Sequence, residues 1–258
     1  MFRKEGRTDR LNRTLAGYLA FIGGYVNSAG FVLIGTFTSH VTGNVGRFAN
    51  QLASRQFSSA AVALSWIAAF FAGACLASMI VESNFFGDQA RAYALALLLE
   101  LVLLSAFGVT NRVAVADRPP IEMEALLLSA AMGIQNSLVT RLSGAVVRTT
   151  HLTGVLTDLG IETARWFRWW RGKASRALGV QLAFGDNPPE APSTAKIALL
   201  LTIAAAFTSG AALGSTFALA GRTVVMVLPV VALAVGIAYA MRGAGAPVAA
   251  SIPPNSRG

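Results

Sequence analysis

Apolar positions run almost unbroken through residues 15–37, directly after a polar segment carrying Arg3, Lys4, Arg7, Arg10 and Arg13. A helix needs ~20 apolar residues to cross a ~30 Å hydrocarbon layer, so this stretch predicts a first membrane span. It exceeds the ~7–15 apolar residues of a cleavable signal core. Comparable stretches follow at residues 58–81, 91–109, 121–140, 194–220 and 223–241. Small residues recur within them at helical spacing: Ala16, Ala20, Gly24 and Ser28; Ala69, Gly73 and Ala77; Ser129, Gly133 and Ser137; Gly210 and Gly214. Such stripes let helix backbones approach closely inside a membrane.

Two stretches are too polar to face lipid. Residues 38–57 contain Arg47, Asn50, Gln51 and Arg55. Residues 141–193 are longer and include a helical pattern over 156–177, where Trp166, Trp169 and Trp170 lie among Arg165, Arg168, Arg171, Lys173 and Arg176. Aromatic rings beside basic heads suit the headgroup layer; a calmodulin-target or nucleic-acid helix is the rival reading.

A duplication organises these elements. Ser39-His40-Val41-Thr42-Gly43-Asn44 returns as Thr150-His151-Leu152-Thr153-Gly154-Val155, and the two copies hold both histidines of the chain. Upstream, Gly24-Tyr25-Val26-Asn27-Ser28 matches Gly133-Ile134-Gln135-Asn136-Ser137. One small insertion reconciles the two offsets. The expected fold is therefore an all-α polytopic membrane protein with six transmembrane helices, arranged as two inverted three-helix repeats with re-entrant or interfacial segments. The units are a basic cytoplasmic tail (1–13), a first repeat (14–110), a linker (111–120) ending in Pro119-Pro120, a second repeat (121–242) and a disordered tail (243–258).

Composition agrees with this class. Of 258 residues 54% are hydrophobic and 13% charged, against about 25% charged in soluble domains. The net charge of +9 matches the excess of basic residues on the cytoplasmic side of membrane proteins better than a nucleic-acid partner. With six spans and an inside amino end, Arg47, Arg55, Arg112, Arg118 and Arg222 fall outside and every other Lys and Arg inside. Both termini are therefore expected in the cytoplasm of a bacterial cell, with the spans in its inner membrane. The lone Cys75 forms no internal disulfide and reads as a packing residue.

The candidate substrate-binding residues are Asn27, Ser28, His40, Thr42, Gly43, Asn44, Glu100, Gln135, Asn136, Arg148, His151, Thr153, Gly154 and Asp158. Thr42 and Thr153 read as helix caps. Gly43 and Gly154 leave room for a ligand or another backbone, and a helix amino end favours an anion or polar group. The histidines suit either proton exchange or hydrogen bonds that fix the backbone. Glu100, near the centre of a span, is a functional candidate because an unpaired charge there is costly. No metal site, cofactor or catalytic motif stands out, so enzymatic activity is not expected.

Over GGYVNSAGFVLIGTFTSHVTGN (23–44), AMGIQNSLVTRL (131–142) and RTTHLTGVLTDLG (148–160) the chain resembles the YoaK-like family, across roughly residues 12–242. The resemblance implies a multi-spanning bacterial inner-membrane protein of unknown function. The family often carries an acidic residue where Asn27 stands and a polar one where Val155 stands. The expected function is a small-solute transporter or channel-like protein with a path between the repeats. The partners are the lipid bilayer and a small polar or anionic solute, with no nucleic acid; homo-oligomerisation is left open. The alternatives are a non-transporting scaffold or regulatory subunit and, third, a membrane-embedded lipid enzyme.

Overall fold

Each apolar stretch becomes a helix, and so do the two amphipathic connectors. The computed structural model describes residues 9–83, 89–112, 120–142, 152–177, 191–221 and 224–244. Among these, eight helices occur in the order α1 (Asp9–Ile34), α2 (Val41–Ala53), α3 (Phe57–Glu82), α4 (Gln89–Thr110), α5 (Ile121–Leu142), α6 (Leu152–Ala177), α7 (Thr194–Leu219) and α8 (Val227–Ala244). Residues 1–8 of the expected tail, the linker from 113 to 119, the Asp186–Pro189 break and residues 245–258 lie outside the described residues, whereas residues 9–13 already belong to α1 and 243–244 to α8.

Six spans in two inverted three-helix repeats is not what the structure shows. Among the described residues four helices are long and apolar enough to cross a membrane: Arg13–Ile34, Phe57–Glu82, Gln89–Thr110 and Thr194–Leu219. The other two expected spans fall short for different reasons. α5 is wrapped by α1, α3 and α4; its environment is protein, so it carries Glu124, Ser129, Gln135 and Asn136 buried. In α8 the apolar run among the described residues is Val227–Ala238, shorter than the ~20 residues a span needs.

The bundle is built from two dominant contacts, α1 on α7 and α3 on α5. Both depend on glycine. A Cβ on Gly24 would strike the Phe207 carbonyl, and one on Gly210 the Phe21 carbonyl. In the other pair Gly73 meets the Ala130 carbonyl and Gly133 the Phe70 carbonyl. These contacts are backbone against backbone, which only a missing side chain permits. Ser78 and Ser137 add a hydroxyl–hydroxyl bond of 2.8 Å across α3 and α5.

Contact order along the helices sets their directions. Phe21 and Tyr25 meet Gly210 and Gly214 in turn, so α1 and α7 are parallel. Trp66, Ser78 and Glu82 meet Glu122, Ser137 and Arg141, so α3 and α5 are parallel too. Leu19 meets Gln135 and Gly30 meets Leu128, so α5 runs against α1. The Tyr25 hydroxyl donates to the Val225 carbonyl at 2.8 Å and the Tyr18 hydroxyl to that of Ala232, so α8 runs against α1 as well.

The largest apolar core joins Ile22, Tyr25 and Val26 of α1 to Leu104 and Phe107 of α4, Leu128 and Met132 of α5, and Leu233 of α8. α3 and α7 lie outside; Phe71 is 72% exposed and Leu201 50%, which suits a surface solvated by lipid. α1 ends at Gly35, whose φ of +73° is the left-handed turn that glycine adopts without strain.

Candidate functional site

The first signature is fixed by the helix before it. After the Gly35 turn the chain doubles back, and the Ser39 hydroxyl and amide donate to Asn27 Oδ1 at 2.7 and 3.4 Å. Both residues are buried. α2 therefore starts alongside α1 at the depth of Asn27, rather than beyond its end. Its N-cap is His40, whose side chain makes no capping bond; the His40 carbonyl accepts from the Asn44 amide at 3.1 Å. Thr42 is thus not the cap: it is an exposed residue inside the first turn. The exposed His40 ring stands edge-on to Phe37 at 6.4 Å and lies over Gly43, where a Cβ would fall 2.6 Å from Nδ1. Asn44 is buried and Ser28 half-buried. Arg47 stacks over the Trp66 ring at 5.4 Å, tying α2 to α3.

The second signature starts α6. His151 and Arg148 lie outside the described residues; Thr153 and Gly154 are exposed and Asp158 half-buried. Thr153 stands inside the helix, one residue past its first, so it is not the cap either. Val155, the counterpart of Asn44, is buried against Ala16 and Ala20 of α1 and Leu200 and Ile203 of α7. The two signature helices therefore begin against α1 on either side of its middle. Asn27 and Ala20 are roughly 10 Å apart along the helix axis at ~1.5 Å per residue.

Between these levels lies a buried polar group on α4 and α5. Gln135 is fully buried; its Nε2 donates to the Leu19 carbonyl of α1 at 3.3 Å, while its Oε1 has no partner. Asn136 donates to the Met132 carbonyl at 2.8 Å, within its own helix. Ser129 is buried with an unpartnered hydroxyl. Glu100 is fully buried and neither carboxyl oxygen has a partner. On α4 it falls between Ala96, which shares a core cluster with Ile134 and Leu138, and Leu104, which shares one with Leu128. That places Glu100 opposite the α5 segment that contains Ser129.

The residue list drawn from the sequence omits Ser129, Glu124 and Thr38, all buried. Glu124, Leu128, Ala131 and Gln135 form one fully buried face of α5, and their i, i+4, i+7, i+11 spacing was the available signal. A polar residue on a face otherwise made of Leu and Ala marks a helix enclosed by protein. Among the described residues no group of three or more His, Cys, Asp or Glu could hold a metal ion.

A different polar contact lies at the α6–α7 junction. Glu162, buried on α6, accepts from Lys196 and from Arg165, each at 3.0 Å. The hydrogen bond from Lys196, then the two cationic charges, hold its carboxyl below the ordinary 4.5 despite burial.

No curated protein and no solved structure matches the chain. The family model described as "Protein of unknown function (DUF1275)" matches residues 15–239. That span takes in both signatures, the buried α5 face and Glu100. The chain is accordingly a multi-pass membrane protein of the DUF1275 family, in agreement with its resemblance to the YoaK-like proteins.

Proposed function

We propose that the protein moves a small polar or anionic solute across the membrane, along a path beside α1 and α5. The carrying observation is the set of buried polar atoms without partners: both oxygens of Glu100, Oε1 of Gln135 and Oγ of Ser129. An unsatisfied polar atom among membrane helices costs several kcal/mol. A solute or water passing this level supplies the missing hydrogen bonds. In this reading Glu100 exchanges a proton with the path, and Gln135 and Ser129 contact the solute. Asn27, Asn44 and the first turns of α2 and α6 border it. The doubling back of the chain to Asn27 supports a re-entrant rather than an interfacial α2.

Orientation is part of the proposal. α5 runs against α1, so the end of α5 and the start of α1 share one end of the bundle. Arg13, Arg91, Arg141, Lys196 and the arginines of α6 gather there, against Arg47, Arg55 and Arg112 at the other. The basic end belongs in the cytoplasm, which puts both termini there and the protein in a bacterial inner membrane. The reading is non-enzymatic.

A second reading, a non-transporting scaffold or regulatory subunit, is favoured by one pair of contacts. Asn27 is satisfied by Ser39, and Asn136 by its own helix; both are ordinary packing bonds. Flux in reconstituted vesicles separates the two. Under the transport reading, pH-dependent flux of small anions or polar solutes is present in wild type and absent in Glu100→Gln. No flux above protein-free vesicles across such a panel sinks it.

A further inference from the structure

α6 is docked by only part of its surface. Val155 and Leu159 pack on α1 and α7, and Glu162 bonds Lys196 at the start of α7. From Thr163 to Lys173 the side chains are exposed, apart from Trp169 and Gly172. Leu156 is 54% exposed, Trp166 43%, Phe167 53% and Trp170 54%. At about 100° per residue these four share one arc of the helix. Arg165, Arg168 and Arg171 share another, on the side away from the docked residues. The Glu162 ion pairs fix the rotation, so that the aromatic arc adjoins the docked one and overlaps it at Trp166.

We propose that this face of α6 is a binding site for anionic phospholipid headgroups. The aromatic arc sits beside α1 and α7, both long and apolar enough to cross a membrane, so it meets the lipid those helices meet. Rings with a polar edge are stable at the acyl–headgroup boundary. The three arginines flank the rings and reach the phosphates, whose oxygens accept paired guanidinium bonds. Arg165 is engaged with Glu162, yet its side chain is 61% exposed and retains donors. Lys173 covers the Trp169 ring at 5.3 Å. Charge complementarity selects anionic over zwitterionic lipid, and the exposed apolar arc selects a bilayer over nucleic acid.

The test uses the full chain in nanodiscs. In a Trp66→Phe background, energy transfer is measured from the α6 tryptophans to dansyl-labelled phosphatidylglycerol or dansyl-labelled phosphatidylcholine at equal mole fraction. A basic residue at an anionic surface contributes about fivefold, so the expected preference for phosphatidylglycerol is on the order of tenfold or more. Arg165→Gln/Arg168→Gln/Arg171→Gln removes it, the matching lysine triple keeps most of it, and raised salt weakens it. Should the triple fail to fold, Arg168→Gln/Arg171→Gln leaves the Glu162 pairs intact and still lowers the preference. Equal transfer to both lipids overturns the proposal, as does a preference unchanged in the glutamine variants. Arginine-dependent binding of a short RNA without any lipid preference overturns it too.

Discussion

Gly24 of α1 and Phe207 of α7 meet so closely that a methyl group on Gly24 would occupy the Phe207 carbonyl. Neither partner can give way, because both are helix backbone. Gly24→Val should therefore destabilise the bundle by at least the ~1–3 kcal/mol of ordinary overpacking. Gly133→Val should do the same to α3 against α5. Thermal unfolding in detergent checks both; variants that melt like wild type would mean that the helices separate without penalty.

Gly43 is the contrasting case. Its crowding neighbour is the exposed His40 ring, which can swing aside. Alanine has the better helix propensity by up to ~1 kcal/mol, so Gly43→Ala should be close to neutral. In a His40→Ala background, where the ring that crowds the methyl is gone, the same change should stabilise. A double-mutant cycle read by melting temperature gives the coupling directly.

Glu100 is expected to oppose stability and activity to each other. Replacing its unpartnered carboxyl by Glu100→Leu removes a buried polar group and should raise stability by about 1–3 kcal/mol. The same change should abolish proton-dependent flux. A destabilised variant would show that the carboxyl has a structural partner.

Glu162 predicts an acid-sensitive junction. Its carboxyl titrates below the ordinary 4.5 in the folded chain, so its contribution is complete above that value. It is lost as pH falls through the lowered folded value. Protection against hydrogen exchange along the first turns of α7, measured relative to the intrinsic rate at each pH, should fall in that acid range in wild type. In Glu162→Gln the acid-dependent fall should disappear, with protection already lowered at neutral pH.

Much of the helix map was legible beforehand, because apolar runs and their polar interruptions are local properties. The ends of α3, α4, α5 and α7 fall within two residues of those expected, and the small stripes containing Gly24, Gly73, Gly133 and Gly210 lie at the helix contacts. The span count was not legible. Hydropathy reports how apolar a helix is, not whether lipid or protein surrounds it, and α5 is enclosed by its neighbours. Capping was misassigned for a local reason: His40 occupies the cap through its backbone, which side-chain preferences do not register. Asn27 and Glu100 were found as polar interruptions, whereas Ser129 was hidden as one more small residue in a stripe.

The pairing of α1 with α7 and of α3 with α5 has a consequence for synthesis. Each dominant contact joins a helix made before the central linker to one made after it. While the second half is still on the ribosome, α1 and α3 have no mate for their glycine faces. They must wait in the bilayer, with lipid chains or an insertase as temporary neighbours. Assembly is then a late event, and a chain cut at the linker should yield fragments that are rescued only when both are made together.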